Sequence, residues 1–484
     1  MKATKEILTD KQKECVNFTT NRDLLVQGVA GSGKSLVIIN RAMQLYDKIS
    51  LAGKTAGIAV FTYANSLVNY TSEILALGGE EAAQNIRVST LDREILSLYK
   101  RLTKRNTYYA YKDFSNELAA VAEGLKTKYP NSRFLDEEKT KFLKEEVEWM
   151  KQHGMTCFEE YEKCVRKGRG MVRVTRADRR IIYDVYERFY EKLKRKNIRT
   201  IDVIAEELVQ IGIPENDKYD FVFVDEAQDL SLNKLKLAKM MAKVSVTISA
   251  DFAQKIYKSG FTWKEAGIEI RGQASKKLHG THRNTKQIAA LANSLTKANT
   301  EMKNFDEEDF TLPELPEREG KLPKLIYECS HNQEREDVIS LLKEIIEKKP
   351  QATIAIIARD IIHINKIKSW LFRASIPFQH ICNKEKYKVL EPGVKVVTYH
   401  SSKGLEFNYV ILPFVDDGII PYTKYMNDDD ADIEEDLLNE ARNLMYVGMT
   451  RAKDMLYMFT VDGADGDPSP LIDDLDESFM EVSR

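Results

Sequence analysis

A glycine-rich loop between an apolar strand and a helix constrains this chain more than any other feature. The segment GVAGSGKS, residues 28–35, follows the apolar run 24–26 and precedes a helical run at 36–45. Glycines at this spacing let backbone N–H groups point at phosphate oxygens, and the N-terminus of the helix adds positive potential. The sequence therefore predicts a phosphate site in an α/β core. The predicted nucleotide-binding residues of the loop are Gly28, Gly31, Ser32, Gly33, Lys34 and Ser35.

A second apolar run ends in two adjacent carboxylates. Residues 221–224 are apolar, and Asp225 and Glu226 follow directly. Because the carboxyl ends of parallel strands meet at one edge of a sheet, we expect Asp225 to lie near the glycine-rich loop. There Asp225 and Ser35 would hold Mg²⁺, Lys34 would reach the terminal phosphates, and Glu226 would orient and deprotonate a water molecule. The two motifs together predict hydrolysis of a nucleoside triphosphate.

Short apolar, β-branched runs alternate with charged helical segments along the chain, which predicts parallel sheets. Four runs lie before residue 250 and four after residue 350, so we expect two α/β cores. The predicted strands are 24–26, 57–61, 221–224, 246–249, 354–358, 394–398, 409–412 and 455–459.

Changes in this pattern predict the domain boundaries. Long charged stretches with a period near 3.6 residues indicate a mostly helical insertion in the first core. Clustered Asp, Glu and Pro residues indicate a linker, and acidic stretches at 427–436 and at the C-terminus are expected to be mobile. The predicted units are a first core at 1–90 and 200–300, a helical insertion at 91–199, a linker at 301–324, a second core at 325–460 and an acidic C-terminal tail at 461–484.

Charge and cysteine content exclude several protein classes. The net charge is −2, so binding to nucleic acid would need a local basic cluster. The five cysteines show no zinc-ligand spacing, which favours a reducing, cytoplasmic compartment. No run of 18 apolar residues occurs, so we expect a soluble protein.

Further strings follow the two motifs in a characteristic order, and with them the chain resembles the UvrD/Rep-like superfamily 1 helicases from about Leu8 to Phe459. The strings are LTDKQ at 8–12, ADFAQKIY at 250–257, LHGTHRNT at 278–285, VTYHSSKGLEF at 397–407 and EARNLMYVGMTRA at 440–452. The resemblance implies two RecA-like P-loop cores that face each other across a nucleotide cleft. It also implies ATP and Mg²⁺ as cofactors, and movement on single-stranded DNA in the 3′-to-5′ direction.

The resemblance also implies roles at the nucleotide for individual residues. Gln12 would contact the adenine edge, and Gln254 would sense the γ-phosphate and couple it to the bound strand. Arg283 would bind the γ-phosphate, and Glu406 would meet the ribose. His282 stands where the family usually has a base-stacking Tyr.

Arg451 would be an arginine finger supplied across the cleft, as the resemblance implies. Such an arginine neutralises charge that develops on the phosphoryl oxygens during transfer. Its removal is therefore expected to affect catalysis more than binding.

Contacts to single-stranded DNA are predicted on three grounds. In the resembling family the Thr and His of the 397–407 string touch the strand backbone, and the segments at 61–65 and 89–92 match the family's strand motifs in part. Aromatic residues near these motifs can stack on any base. Between 162 and 199 the chain has 14 basic and five acidic residues, which indicates phosphate contacts or a solvated helix face. The predicted strand contacts are Phe61, Thr62, Asn65, Thr90, Arg166, Arg169, Arg173, Tyr257, Trp263, Thr398 and His400.

Larger helicases of this kind insert an accessory subdomain into the second core. Here only residues 359–393 separate the strand at 354–358 from the 397–407 string, which leaves room for one helix and a loop. We therefore expect the insertion to be absent or vestigial. Two interpretations stay open: a helicase or translocase acting on single-stranded or tailed duplex DNA, and an ATPase subunit, stimulated by DNA or controlled by a partner such as a nuclease, in a repair or defence complex.

Overall fold

A computed structural model describes most of the chain. The described residues are 8–29, 31–105, 108–109, 114–164, 174–250, 263–270, 272–278, 283–300, 314–382, 387–422 and 431–484. Among the helices in these segments, none combines the length and the apolar character that crossing a membrane requires.

The strands of the described residues form three sheets. Each of the eight apolar runs predicted as a strand falls on one of them. The strands are β1 (Leu24–Gly28), β2 (Ile58–Thr62), β3 (Ile86–Thr90), β4 (Tyr108–Tyr109), β5 (Ile198–Arg199), β6 (Tyr219–Val224), β7 (Ala242–Ala250), β8 (Ser275–Leu278), β9 (Lys324–Glu328), β10 (Thr353–Ala358), β11 (Phe378–His380), β12 (Gly393–Thr398), β13 (Phe407–Leu412), β14 (Ala452–Val461) and β15 (Glu481–Ser483).

The α-helices lie between these strands, as expected for parallel sheets with crossover connections. They are α1 (Asp10–Val16), α2 (Lys34–Leu51), α3 (Asn65–Gly78), α4 (Glu80–Asn85), α5 (Leu91–Thr103), α6 (Ser115–Leu125), α7 (Thr140–Gln152), α8 (Phe158–Lys163), α9 (Arg176–Arg195), α10 (Ile201–Ile211), α11 (Leu232–Met240), α12 (Lys286–Ala298), α13 (His331–Lys348), α14 (Ile361–Arg373), α15 (Tyr399–Ser402) and α16 (Ala431–Met449).

The first core is a six-stranded sheet in the order β3-β2-β6-β7-β1-β8, and all its strand pairs are parallel. Apolar clusters cover both of its faces, one with α2 and α3 and the other with α5, α10 and α11. Burial on both faces explains why its strands are continuous apolar runs. The carboxyl ends of β1 and β6 lie at the same edge and carry the glycine-rich loop and Asp225.

The second core is a seven-stranded parallel sheet in the order β11-β12-β10-β13-β14-β9-β15. Its interior strand β10 is buried from Ile354 to Ala358 and pairs with β12 and β13. The predicted fold class, two α/β cores with parallel sheets, is confirmed.

The helical insertion has its own apolar core, but it starts later than predicted. Side chains of α6 to α9, among them Phe134 and Ile182, form a separate cluster. In contrast, Ile95 and Leu98 of α5 belong to the cluster of the first core. The predicted start at residue 91 is therefore wrong, because the apolar face of α5 packs on the first sheet. The insertion begins after α5, and the chain returns to the first core at α10.

The first core also ends earlier than predicted. Helix α12 lies within the predicted span 200–300, yet its residues Ile288, Leu291 and Leu295 are buried in the cluster of the second core. Asn284 donates from Nδ2 to the carbonyl oxygen of Thr450 at 3.0 Å. The second core thus begins with α12, before the predicted linker.

The predicted mobile tail is wrong, because the C-terminal segment is part of the second core. Strand β15 pairs with β9, and Leu471, Leu475 and Met480 are buried in the same apolar cluster as α12. The acidic stretch predicted as a loop at 427–436 is likewise helical from Ala431 onward. In the C-terminal segment, apolar residues between the acidic ones pack inward.

Between β10 and β12 the described residues contain only helix α14 and the three-residue strand β11. Residues 383–386 lie outside the description. This matches the short spacing from which a missing second-core insertion was predicted.

Candidate active site

The glycine-rich loop joins β1 to α2 at the carboxyl edge of the first sheet. Gly33 has a φ of +85° and directly precedes α2. Residues with a side chain rarely adopt this left-handed conformation, and a Cβ atom at Gly33 would lie 2.4 Å from Nε2 of Gln12. A Cβ atom at Gly28 would lie 2.3 Å from Oγ of Ser32. The local geometry therefore requires glycine at two of the predicted positions.

The Lys34 ammonium lies inside this loop. Its Nζ donates to the carbonyl oxygens of Gly28 at 2.7 Å and Val29 at 2.9 Å, and the residue is 6% exposed. The hydroxyl of Ser32 is buried and has no hydrogen-bond partner among the described residues. Phosphate oxygens bind well to such a cation and to donors at a helix N-terminus. The loop therefore fits the phosphates of a nucleotide.

Gln12 braces the same loop. Its Nε2 donates to the carbonyl oxygen of Ser32 at 2.9 Å, and its Oε1 accepts from the backbone N–H of Thr9 at 2.9 Å. Arg41 of α2 holds the end of α1 by donating to the carbonyl oxygens of Val16 and neighbouring residues. Nε2 of Gln12 can donate one more hydrogen bond, and Oε1 can accept one more. Contact of Gln12 with adenine stays a prediction.

The predicted metal ligands, 190 residues apart in sequence, are in direct contact. Oγ of Ser35 donates to Oδ2 of Asp225 at 2.6 Å, and Ser249 donates to the other carboxylate oxygen. Burial, reinforced by the neighbouring Glu226, raises the pKa of Asp225. Mg²⁺ prefers oxygen ligands and commonly takes only one or two from the protein beside substrate phosphates. A hydroxyl and a carboxylate at this position fit that requirement.

Glu226 follows in a left-handed conformation, with a φ of +55°. Gln228 donates from Nε2 to Oε2 of Glu226 at 2.5 Å, and the Lys403 ammonium of the second core lies 3.5 Å from the same oxygen. Burial raises the pKa of Glu226, but Lys403 and Lys34 outweigh this effect and hold it below its ordinary value. An ionised, firmly held carboxylate can accept a proton from water. An uncommon backbone conformation at such a residue is typical of a functional site.

The second core contributes two arginines and a carboxylate. Nε of Arg283 donates to Oε1 of Glu406 at 2.7 Å. Burial acts against both charges, yet each partner stabilises the other, so the pKa of Glu406 is lowered and that of Arg283 is raised. Arg451 is 1% exposed, and burial together with the nearby Arg283 lowers its pKa to about 9. Two cations are thus held close together in a buried position, where an anionic ligand would relieve their repulsion.

These groups line one cleft between the two cores. The predicted residues that line it are Gln12, Gly31, Gly33, Lys34, Ser35, Glu226, Arg283, Glu406 and Arg451. The structure thus brings together residues from the glycine-rich loop, from the carboxylates after β6 and from four of the five further strings.

Several residues in or beside the cleft had no predicted role, and three of them carry an ammonium or a hydroxyl group. Lys403 pairs with Glu226 and Asp229, and it lies inside a string that was recognised without giving this residue a role. Lys453 lines the cleft one residue beyond the recognised string at 440–452. Tyr70 lines it from α3. The ordinary amphipathic pattern of α3 gave no signal that separates Tyr70 from a core aromatic residue.

Comparison with known families assigns the chain. Residues 8–279 match the UvrD/REP helicase N-terminal domain, and residues 380–463 match the UvrD-like helicase C-terminal domain. The first match alone spans more than half of the chain. The chain belongs to the UvrD/REP helicase family.

Individual UvrD/REP relatives align over short segments. DNA helicase II of Rickettsia typhi is 33% identical over 21% of this chain and 14% of its own length. ATP-dependent DNA helicase Rep of Buchnera aphidicola subsp. Schizaphis graminum is 44% identical over 13% of the chain and 9% of its length. ATP-dependent DNA helicase PcrA of Leuconostoc citreum is 44% identical over 14% of the chain and 8% of its length. The aligned segments thus span about a seventh or less of these relatives.

The two segments of the first core that partly match the family's DNA-contacting motifs, 61–65 and 89–92, lie side by side. Thr62 and Thr90 are the last residues of the neighbouring strands β2 and β3, and they lie opposite each other in the strand pairing. Arg93 connects the two motifs, since its Nη2 donates to Oδ1 of Asn65 at 3.0 Å and its backbone N–H donates to Oγ1 of Thr90. Arg93 is exposed, and it was not among the predicted DNA contacts.

Phe61 does not fit its predicted role as a base-stacking residue. Its side chain is fully buried on β2, with its ring 6.0 Å from that of Tyr219 in an edge-on arrangement. The neighbouring Tyr63 is 39% exposed. The stacking prediction for Phe61 is wrong, because β2 is covered on both faces and its exposed end comes only after Thr62.

The other described strand candidates occupy the edges of the two cores. Thr398 ends β12 and caps α15 by accepting from the backbone N–H of Ser401, and His400 is exposed beside it. Trp263 is half-buried against the cluster of the first core. Six predicted residues lie outside the described part of the chain: Arg166, Arg169, Arg173, Gln254, Tyr257 and His282.

Much of the described basic run serves internal contacts. Arg176 pairs with Glu162 at 2.6 Å, and Arg180 pairs with Asp184 at 3.0 Å. Arg179 donates to three backbone carbonyl oxygens, among them that of Cys164. Arg176 and Arg179 thus tie α9 to the α8 segment, whereas the Arg180 pair lies within α9. These contacts leave fewer charges for a phosphate backbone than the count of basic residues implies.

Proposed function

We propose that this protein is an ATP-dependent DNA translocase and helicase that moves 3′ to 5′ on a single strand. One observation carries the proposal: the glycine-rich loop and Glu226 of one core share a cleft with Arg283 and Arg451 of the other. A nucleotide in this cleft would touch both cores. Its binding and hydrolysis could therefore change the distance between them.

The described residues would have different roles in ATP hydrolysis. Bound ATP with Mg²⁺ supplies the phosphoanhydride bond whose cleavage drives the cycle. Lys34 and the loop hold the phosphates, while Ser35 and Asp225 hold the metal. Glu226 takes a proton from the attacking water, because its low pKa keeps it ionised and Gln228 fixes its orientation.

Arg283 and Arg451 supply the positive charge that a phosphoryl-transfer transition state requires. Arg451 donates to the carbonyl oxygen of Val447 at 2.8 Å and to Oγ1 of Thr450 at 3.1 Å. These contacts hold the guanidinium within the second core. Movement of this core toward the first would carry the charge to the phosphates.

The bound strand would cross the carboxyl edges of both sheets. Of the predicted DNA contacts, Asn65 of the first core and Thr398 and His400 of the second are at least partly accessible there, whereas Thr62 and Thr90 are buried in this structure. Arg166, Arg169 and Arg173 would add phosphate contacts that are independent of sequence and sensitive to salt. Alternating grip by the two cores would convert each ATP cycle into one step along single-stranded DNA.

A second function is favoured by the short connection between β10 and β12. Without a large second-core insertion, the protein could be a DNA-stimulated ATPase that separates duplex poorly alone and controls a partner such as a nuclease.

Strand displacement on tailed duplexes tests the proposal and its alternative. We expect ATP-dependent displacement from a duplex with a 3′ single-stranded tail, and none from blunt or 5′-tailed duplexes or with Lys34→Ala. Displacement from 5′ tails only would contradict the polarity. Hydrolysis stimulated by DNA without displacement of any duplex would favour the partner-controlled ATPase.

A further inference from the structure

Tyr70 is a cleft residue that none of the recognised strings includes. It lies on α3 and lines the nucleotide cleft together with Arg283 and Glu406. Its ring packs against an apolar cluster of the first core and against one of the second core. Tyr70 is therefore held between the two cores at the wall of the cleft.

Two further residues fix the same face of α3. Leu67 belongs to the cluster of the second core, and a Cβ atom at Gly404 would lie 2.3 Å from its Cδ2. The Glu73 carboxylate accepts from the backbone N–H groups of Val389 at 2.7 Å and Leu390 at 3.0 Å. Residues three apart on a helix share a face, so these contacts lie on either side of Tyr70 and limit its movement.

The phenol of Tyr70 is a neutral hydrogen-bond donor in a charged environment. Burial raises its pKa, Glu406 raises it further, and Arg283 acts in the opposite direction. The hydroxyl consequently keeps its proton at neutral pH. Among the charged groups that act on it, the Glu406 carboxylate has the strongest effect.

The Arg283–Glu406 ion pair must open when a nucleotide enters, which rests on the proposed function. The family resemblance implies that Arg283 would bind the γ-phosphate and Glu406 the ribose, at opposite ends of the triphosphate. A ribose hydroxyl can satisfy one oxygen of the carboxylate. The oxygen that Nε of Arg283 holds at 2.7 Å then needs another donor, because a buried carboxylate without one is costly.

We propose that Tyr70 is a positioning residue that donates its hydroxyl to Glu406 when Arg283 turns to the γ-phosphate. The Tyr70 hydroxyl replaces the Arg283 guanidinium as hydrogen-bond donor to Glu406. Arg283 can then move away without leaving the buried carboxylate unpaired. Tyr70 thereby lowers the cost of nucleotide binding and does not take part in bond cleavage.

Four proteins test this inference: the wild type, Tyr70→Phe, Glu406→Gln and the double variant. We expect Tyr70→Phe to raise two quantities about tenfold each, because one hydrogen bond to a charged group is lost. They are the Kd for the ATP analogue AMP-PNP in the presence of Mg²⁺, measured by calorimetry, and the KM for ATP. kcat at saturating ATP and single-stranded DNA should change less than about twofold. In the Glu406→Gln background there is no carboxylate to leave unpaired. Tyr70→Phe should then have almost no effect on the Kd or the KM.

Tyr457→Phe serves as the matched control, since Tyr457 lies on β14 and packs in a cluster away from the cleft. Unchanged Kd and KM in Tyr70→Phe, with an active wild type, would overturn the inference alone. An equal loss with and without Glu406 would also overturn it, because Tyr70 would then act on the nucleotide directly. A wild type that neither binds AMP-PNP nor hydrolyses ATP would instead overturn the proposed function.

Discussion

The Lys403 ammonium of the second core lies 3.5 Å from Oε2 of Glu226, the general base that we propose in the first core. Lys403 also pairs with Asp229, and all three side chains are almost fully buried. This contact joins the two cores directly behind the cleft. It also keeps Glu226 ionised, since the neighbouring cation lowers the pKa of that carboxylate against the effect of burial.

Replacement of Lys403 should therefore destabilise the protein. Lys403→Ala leaves two buried carboxylates facing each other, and breaking a buried ion pair from one side costs about 3–5 kcal/mol. Urea denaturation followed by circular dichroism measures the loss. The matched control is Lys286→Ala, because Lys286 pairs with Glu319 in an exposed position, where about 0.2–1 kcal/mol is expected. Equal effects of the two substitutions would show that the Lys403 contact contributes nothing beyond a surface pair.

Glu226→Gln should separate binding from hydrolysis. The amide has nearly the same shape as the carboxylate but cannot take a proton from water, so we expect ATP binding to persist. Loss of a general base typically lowers kcat about 10²- to 10⁴-fold. Calorimetric binding of ATP and single-turnover hydrolysis provide the two readouts. Glu94→Gln is a control carboxylate of the first core outside the cleft; hydrolysis by Glu226→Gln as fast as by this control would remove Glu226 from its assigned role.

Gly33→Ala should block the nucleotide site through geometry alone. The new Cβ would lie 2.4 Å from Nε2 of Gln12, at a residue whose φ is +85°. We expect at least a tenfold weaker affinity for ATP, since the loop must move to relieve the contact. Gly124→Ala is the control, because a Cβ there meets nothing within 4 Å and alanine favours its helix. Normal ATP affinity in Gly33→Ala would contradict the described loop.

Glu328 should make the stability of the second core depend on pH. Burial and the adjacent Asp337 raise its pKa from 4.5 to about 7. The folded protein thus binds more protons than the unfolded chain between these values, so stability falls as pH rises from about 4.5 to 7. Glu328→Gln should raise the free energy of unfolding at pH 8 by roughly 1–3 kcal/mol and have little effect at pH 5.

The control for this pH dependence is the exposed Glu347→Gln on α13. Urea denaturation at the two pH values distinguishes the variants. A gain from Glu328→Gln that is equal at pH 5 and pH 8 would show that Glu328 does not keep its proton in the folded state.

The candidate nucleotide site was largely predictable because local sequence determines it. The glycines around Lys34 and the carboxylates after β6 follow from backbone conformation and strand ends, and the strands themselves are buried on both faces. Partners across the cleft were not predictable in this way. Lys403 and Tyr70 acquire their roles only when the two cores meet, and no spacing in the sequence encodes that contact.

Domain boundaries were harder to predict for a related reason. An amphipathic pattern shows that one face of a helix is buried, but not which core buries it, so α5 and α12 were assigned to the wrong units. In the C-terminal segment, net negative charge concealed the apolar residues Leu471 and Leu475, which pack inward. Phe61 shows the same limit at a strand end, where the exposed position lies two residues farther on.

Steady-state ATP hydrolysis by the purified protein, with and without single-stranded DNA, tests the central claim most directly. If the cleft between the cores is a nucleotide site coupled to a strand, DNA should stimulate hydrolysis strongly, and Lys34→Ala should abolish it. A low rate that DNA does not change, or hydrolysis that persists in Lys34→Ala, would contradict this account.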